Sequence, residues 1–155
     1  MTEENFNTTI VVSQSRDDVF AAINDVRGWW SQEIEGGTEK LGDEFVFSYQ
    51  DMHRCTQKVT QLVQGEKVTW HVVDGYLSFT QDSAEWAGTD ITFDIARIDE
   101  QTEVRFTHVG IVPASECFPS CSNAWNFLIK QSLHDLITTG KGQPIQREKV
   151  DGGKG

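Results

Sequence analysis

The sequence predicts one α+β domain: a curved antiparallel sheet of six to seven strands packed on a single long C-terminal helix. Three observations predict it. Apolar and polar residues alternate through most of the first 110 positions, the period of half-buried strands. After Pro113 the apolar positions recur at helical spacing instead. Five tryptophans in 155 residues include Trp29 and Trp30 on an early helix, Trp70 on a strand and Trp125 on the late helix. Such large side chains from distant elements must meet, either in a solid core or around a lined cavity.

Phe6, Thr8, Ile10 and Val12 alternate with Asn7, Thr9, Val11 and Ser13, which makes the first strand. Ser15 and Asp18 form a capping box, and Val19, Phe20 and Ile23 follow at helical spacing. A second short helical piece runs from Val26 to Ser31, weakened by Gly28. Gly36, Gly37 and Gly42 mark a loop. Phe45, Phe47 and Tyr49 then alternate with Glu44, Val46 and Ser48, and Gln50-Asp51-Met52 turns the chain.

The next hairpin pairs a strand over 53–63 with one over 66–73 around a two-residue Gln64-Gly65 loop. That loop sets Val63 opposite Glu66, Val59 opposite Trp70 and Gln57 opposite Val72. One face then holds Cys55, Val59, Val63, Val68, Trp70 and Val72. The other is solvated, with Leu62 and Val73 as exceptions. Residues 75–87 are irregular, with room for a short strand around Tyr76 to Phe79. Strands over 90–98 and 102–109 follow, Ile91, Phe93 and Ile95 on one inward face and Val104, Phe106 and His108 on the other.

Pro119 suits the first position of a helix. Trp125, Leu128, Ile129, Ser132, Leu133 and Leu136 form its apolar stripe, and Gly140 ends it near Thr139. The domain is expected to span 1–141. The polar, glycine-containing 142–155 reads as a disordered tail.

A formal charge of −11 and a pI near 4.6 exclude a basic footprint for nucleic acid and disfavour anionic lipid surfaces. No apolar run is long enough to span a bilayer. An acidic, polar start and three cysteines, an odd number, point to a cytoplasmic protein with reduced thiols. Oligomeric state is open between monomer and dimer.

The phrases Thr9-Ile10-Val11-Val12 with Ser15-Arg16-Asp17-Asp18-Val19-Phe20, Trp29-Trp30, Lys67-Val68-Thr69-Trp70, Gly88-Thr89-Asp90-Ile91-Thr92-Phe93 and Thr102 to Gly110 resemble the START-like (SRPBCC) helix-grip superfamily. Within it the chain looks most similar to bacterial homologues of the activator of heat-shock ATPase. The resemblance covers Phe6 to Lys141. It implies a helix-grip fold with a deep groove between sheet and last helix, open to an apolar ligand in many members. It carries no invariant catalytic set, so no catalytic residue is transferred.

Several constellations carry both a structural and a functional reading. Trp29 and Trp30 either anchor the short helices in the core or place one ring at a pocket gate. His108 shares an inward face with Phe106, so it is a satisfied core histidine, a ligand partner or an acid/base. His53 and His71 fall at a strand end or on the solvent side and are assigned nothing. Cys117 and Cys121 lack the second close pair that structural zinc requires; Cys121, in a first helical turn, is a packing residue or a reactive thiol. Asp17-Asp18, Glu33, Glu35 and Asp99-Glu100 lie on caps, loops and turns. No motif for a cofactor, a metal or a catalytic triad is present.

The leading expectation is a non-enzymatic domain that binds a small apolar or amphipathic molecule. The expected groove lining is Trp30, Phe45, Phe47, Tyr49, Trp70, Val72, Phe93, Phe106, His108, Trp125, Ile129 and Ser132. The alternatives are a co-chaperone-like module acting on a heat-shock ATPase, and a cyclase or hydrolase using His108.

Overall fold

The fold was analysed in a computed structural model, which describes residues 5–31, 34–49, 53–77, 86–112, 115–116 and 118–145. Strand β1 (Phe6–Val12) leads into helices α1 (Arg16–Asn24) and α2 (Val26–Trp29). Strands β2 (Ile34–Gly36), β3 (Glu44–Tyr49), β4 (His53–Val63), β5 (Lys67–Leu77), β6 (Asp90–Ile98) and β7 (Gln101–Val109) follow. The chain closes with α3 (Phe118–Phe127), a π-helical segment (Leu128–Leu133) and α4 (His134–Thr139). The seven strands form one curved sheet in the order β1-β7-β6-β5-β4-β3-β2, each pair antiparallel. The last three helical pieces run as one 22-residue helix, completing a helix-grip fold. Among the described residues, no helix is long and apolar enough to cross a membrane.

Local chemistry explains the element ends. Ser15 Oγ accepts the Asp18 N–H at 3.1 Å and caps α1, relieving a donor the helix cannot satisfy itself. Gly140 sits at φ 85° at the end of α4, the left-handed position that glycine occupies without strain. Within the long helix, His134 N–H reaches Ile129 O, five residues back. This wide π turn inserts one residue beyond the α repeat.

The β4–β5 hairpin departs from the expected register in an instructive way. Its loop has three residues, Gln64-Gly65-Glu66, and Val63 pairs with Lys67 rather than Glu66. A bulge at Thr60 then absorbs the offset, so Val59 does oppose Trp70 and Gln57 opposes Val72. The bulge also inverts the face beyond it. Val63, expected inside, is exposed, and Leu62 turns inward to pack on the core. A second bulge at Val73 lets β5 continue to Leu77 and buries Leu77. The strand expected around Tyr76 is therefore the end of β5, and residues 78–85 lie outside the described residues. The three-residue edge strand β2, read from sequence as loop, pairs with β3.

The inward faces are as expected on β1, β6 and β7: Ile10, Val12, Ile91, Phe93, Ile95, Val104, Phe106 and His108 are all buried. Trp29, Trp30 and Trp70 stack in near-parallel planes with centroids 6.0–6.4 Å apart. Phe45 and Phe93 meet Trp70 edge-on at 5.0 and 5.1 Å, geometries that the ring quadrupoles favour. This part of the interior is solid.

Residues just after the last helix contact the domain. The Gln143 N–H donates to Ser132 Oγ at 2.7 Å and the Ile145 N–H to Trp30 O at 2.9 Å. Ile145 also bridges to Ser31. A side chain on Gly142 would collide with the carbonyl of Gly28, so glycine alone lets this segment cross so closely. Residues beyond 145 lie outside the described residues.

Candidate functional site

Where the solid core ends, a cavity of about 580 Å³ opens between the sheet and α3. Its walls are Trp30, Phe47, His53, Trp86, Cys121, Trp125, Leu128 and Ile145, with Ser120 and Ala124 at its helical rim. The elements position these groups directly. Inward parity on β3 supplies Phe47, the first residue of β4 supplies His53, and the turn before β6 supplies Trp86. One face of α3 supplies Cys121 and Trp125, and Ile145 comes from the docked C-terminal segment.

Aromatic rings fix one another around the void. Trp86 stacks on Trp125 at 5.8 Å, Trp30 stacks on Phe47 at 4.8 Å, and Trp30 meets Trp125 at 5.1 Å. His53 is held edge-to-face between Trp86 at 4.5 Å and Phe47 at 5.1 Å. The Trp86 indole donates to Cys121 Sγ at 3.3 Å.

Two imidazoles, His108 buried and His53 partly buried, face opposite fates. His108 is fully buried and fully satisfied. The Trp125 indole N–H donates to Nδ1 at 3.1 Å, and Nε2 lies 2.9 Å from Thr89 Oγ. An indole nitrogen can only donate, so Nδ1 bears no proton and Nε2–H donates to Thr89. The Thr89 hydroxyl in turn donates a hydrogen bond to Trp86 O at 2.6 Å. Burial, with a smaller contribution from His53, lowers the His108 pKa from 6.5 to about 3. Neither nitrogen remains for a substrate, which removes the acid/base role considered for this residue.

His53 is the reverse. Burial lowers its pKa to about 4, so it too is neutral near pH 7. Its Nε2 is shielded from solvent yet has no hydrogen-bond partner. A second buried group, the Cys55 thiol, takes a hydrogen bond from Gln57. Burial raises its pKa, opposed by that bond and reinforced by Asp74 and Cys121.

Of the expected lining residues, Trp30, Phe47 and Trp125 meet at the cavity. Phe45, Trp70, Val72, Phe93, Phe106, His108, Ile129 and Ser132 are buried in the packed interior beside it and do not reach the void. The Tyr49 side chain and all of Cys117 lie outside the described residues. The Ser132 hydroxyl donates to Trp29 O at 2.7 Å and ties the helix to α2. Of the tryptophan pair, Trp29 is a core anchor, its indole donating to Ile23 O at 3.0 Å, while Trp30 forms cavity wall. His71 faces the outer surface and contacts Asp90 at 2.9 Å.

Sequence reasoning missed His53, Trp86, Cys121, Leu128 and Ile145 as wall residues. For His53 a signal existed: it shares strand parity with Cys55 and Val59. Trp86 lies in an aperiodic stretch that offers no such guide.

No protein-family profile matches the sequence, and no curated protein does. Solved structures do. The chain is similar to the subunit of the Aha1 dimer from Colwellia psychrerythraea, at 26% identity and a TM-score of 0.72, covering 92% of this chain and 100% of that one. It is also similar to DynU16, a protein of the dynemicin biosynthetic locus, at 13% identity and a TM-score of 0.66, covering 94% of this chain and 52% of that one. CalU16 from Micromonospora echinospora aligns at 13% identity and a TM-score of 0.62, covering 88% and 75% of the two chains. At such low identities the last two speak for the fold alone. The chain thus has the helix-grip fold of the START-like proteins and is similar, over nearly its whole length, to an Aha1 subunit.

Proposed function

We propose that this protein binds a small apolar or amphipathic molecule in the cavity between the sheet and α3. One observation carries the reading: about 580 Å³ of space walled by four aromatic side chains, Trp30, Phe47, Trp86 and Trp125. Pockets for small ligands span about 300–1,000 Å³ and are mostly apolar with a few placed polar groups. Native mass spectrometry of freshly purified protein should reveal a co-purified small molecule. Ala124→Trp, on the exposed rim, should displace it without loss of fold. Equal ligand occupancy in Ala124→Trp and the parent would place binding elsewhere.

A second reading follows from the similarity to the Aha1 subunit: a co-chaperone-like module that acts on a heat-shock ATPase, as a monomer or dimer. It predicts stimulated ATP turnover when this protein is added to the purified chaperone. The cavity reading predicts no such stimulation, so one assay separates them.

A further inference from the structure

The geometry points to a gate: residues 141–145 form a strap that closes the cavity, and the Ser132 hydroxyl is its latch. This inference rests on the binding reading above and adds how that site opens and shuts.

Three features converge. First, the strap is the wall segment that can leave without dismantling the fold. Among the described wall residues, Ile145 alone lies beyond the last helix. The others stand on the sheet, on the helices or at their ends, or in the turn before β6. Moving any of those would break the packed interior; moving the strap breaks only its own docking.

Second, that docking is shallow. The Gln143 N–H donates to Ser132 Oγ at 2.7 Å and the Ile145 N–H to Trp30 O at 2.9 Å. The Gln143 side chain adds an exposed bond to Asp135. Lys141 and Gln143 are exposed, and Gly142, Pro144 and Ile145 are half-buried. A short segment with so little buried apolar surface opens locally, well below the free energy of global unfolding.

Third, hinge and seat are both built. Gly140, at φ 85°, turns the chain off the helix, and Thr139 Oγ1 accepts the Lys141 N–H at 3.2 Å, so the pivot stays on the helix. Gly142 then passes between the carbonyls of Gly28 and Ser132, where a side chain would collide. Ser132 is fully buried and donates to Trp29 O at 2.7 Å. That bond holds its oxygen ready for the Gln143 N–H whether the strap is docked or not. Ile145 bonds to the backbone of Trp30, itself a wall residue, so undocking uncovers the cavity beside Trp30.

A gate and a passive wall differ in kinetics. Loosening a passive wall speeds release alone. Loosening a gate speeds entry as well, because the ligand no longer waits for the strap to open. Gly142→Ala separates the two, since its methyl group disturbs the docked strap while Ile145 and Ser132 stay unchanged. Stopped-flow fluorescence of the full chain with N-phenyl-1-naphthylamine, an uncharged fluorophore, should show association about tenfold faster in Gly142→Ala than in the parent, the factor one lost hydrogen bond makes. Release should accelerate with it. In the parent, the Gln143 and Ile145 amides should exchange with solvent together and faster than those of β6 and β7. In Gly142→Ala they should lose protection while the β6 and β7 amides keep theirs.

An unchanged association rate in Gly142→Ala would overturn the gate and leave the binding reading standing. Strap amides that exchange in the parent as slowly as those of β6 would overturn it without any substitution. Strap protection that survives Gly142→Ala would overturn the seat on which the latch depends. Binding by Gly142→Ala alone would uphold the gate, as one that stays shut in the parent. If the fluorophore binds neither protein, the cavity reading fails together with the gate.

Discussion

Trp125 donates its indole N–H to Nδ1 of His108 at 3.1 Å, joining the C-terminal helix to strand β7 by a buried polar bond. The same bond fixes the imidazole tautomer and, through Thr89, reaches the backbone of Trp86. Trp125 and Trp86 are also cavity walls. The relay therefore sets the shape of the space next to it while contributing no free group to it.

Trp125→Phe should preserve most of the packing but strip His108 Nδ1 of its donor. A loss of roughly 1–3 kcal/mol is expected for a buried acceptor left unpaired, read from urea midpoints. In the parent, 15N spectra should show the proton of His108 on Nε2. A proton on Nδ1 would contradict the relay.

Stability should fall on acidification. The folded pKa values of His53 and His108 lie near 4 and 3, below the 6.5 expected when unfolded. Between these limits the unfolded chain takes up two protons that the folded chain does not, so unfolding gains from acid. The contribution is complete above about pH 6.5 and is lost progressively toward pH 3. Urea midpoints from pH 8 to 4 should show a shallower decline in His53→Phe than in the parent; identical slopes would refute the assignment.

Trp70 is fully buried and contacts Trp29, Trp30, Phe45 and Phe93. Trp70→Ala should cost roughly 3–5 kcal/mol, the value for a packed ring rather than one lining a void. A loss below about 1 kcal/mol would mean that the interior around it is not solid.

Truncation after Lys141 should do more than trim a tail. It removes the Gln143–Ser132 and Ile145–Trp30 hydrogen bonds and one wall of the cavity. The expected outcome is a stability loss of roughly 1–3 kcal/mol and faster ligand release by stopped-flow fluorescence. Unchanged kinetics would show that Ile145 does not close the site.

Much of the fold was legible because alternation on β1, β6 and β7 is unbroken, and burial follows parity there. The β4–β5 pair shows where parity fails. Val63 and Leu62 exchanged faces because Thr60 bulges, and neither residue type announces a bulge. The Val59–Trp70 pairing survived because the longer loop and the bulge offset each other. The site was less legible than the fold. Inwardness identifies Trp70, Phe93 and Ser132 as buried, but whether an inward residue meets packed neighbours or empty space depends on how far the helix stands from each strand. That distance is a property of the whole assembly. Ile145 was missed because one apolar residue in a polar stretch carries no periodicity.

The π-helical segment between Leu128 and Leu133 makes the long helix a phase shifter. Its extra residue sets the rotation of Trp125, upstream, against that of Ser132 and Ile137, downstream. Deleting the exposed Lys130 would remove that extra residue and let the helix relax to the ordinary α repeat with its halves still in phase, whereas relaxation at full length would turn them relative to each other by about 100°. Cavity wall and α2 anchor could no longer face inward together. A one-residue deletion, which in a regular α-helix rotates everything beyond it, is here the change the π turn can absorb, which makes that turn as much a part of the site as any side chain on the helix.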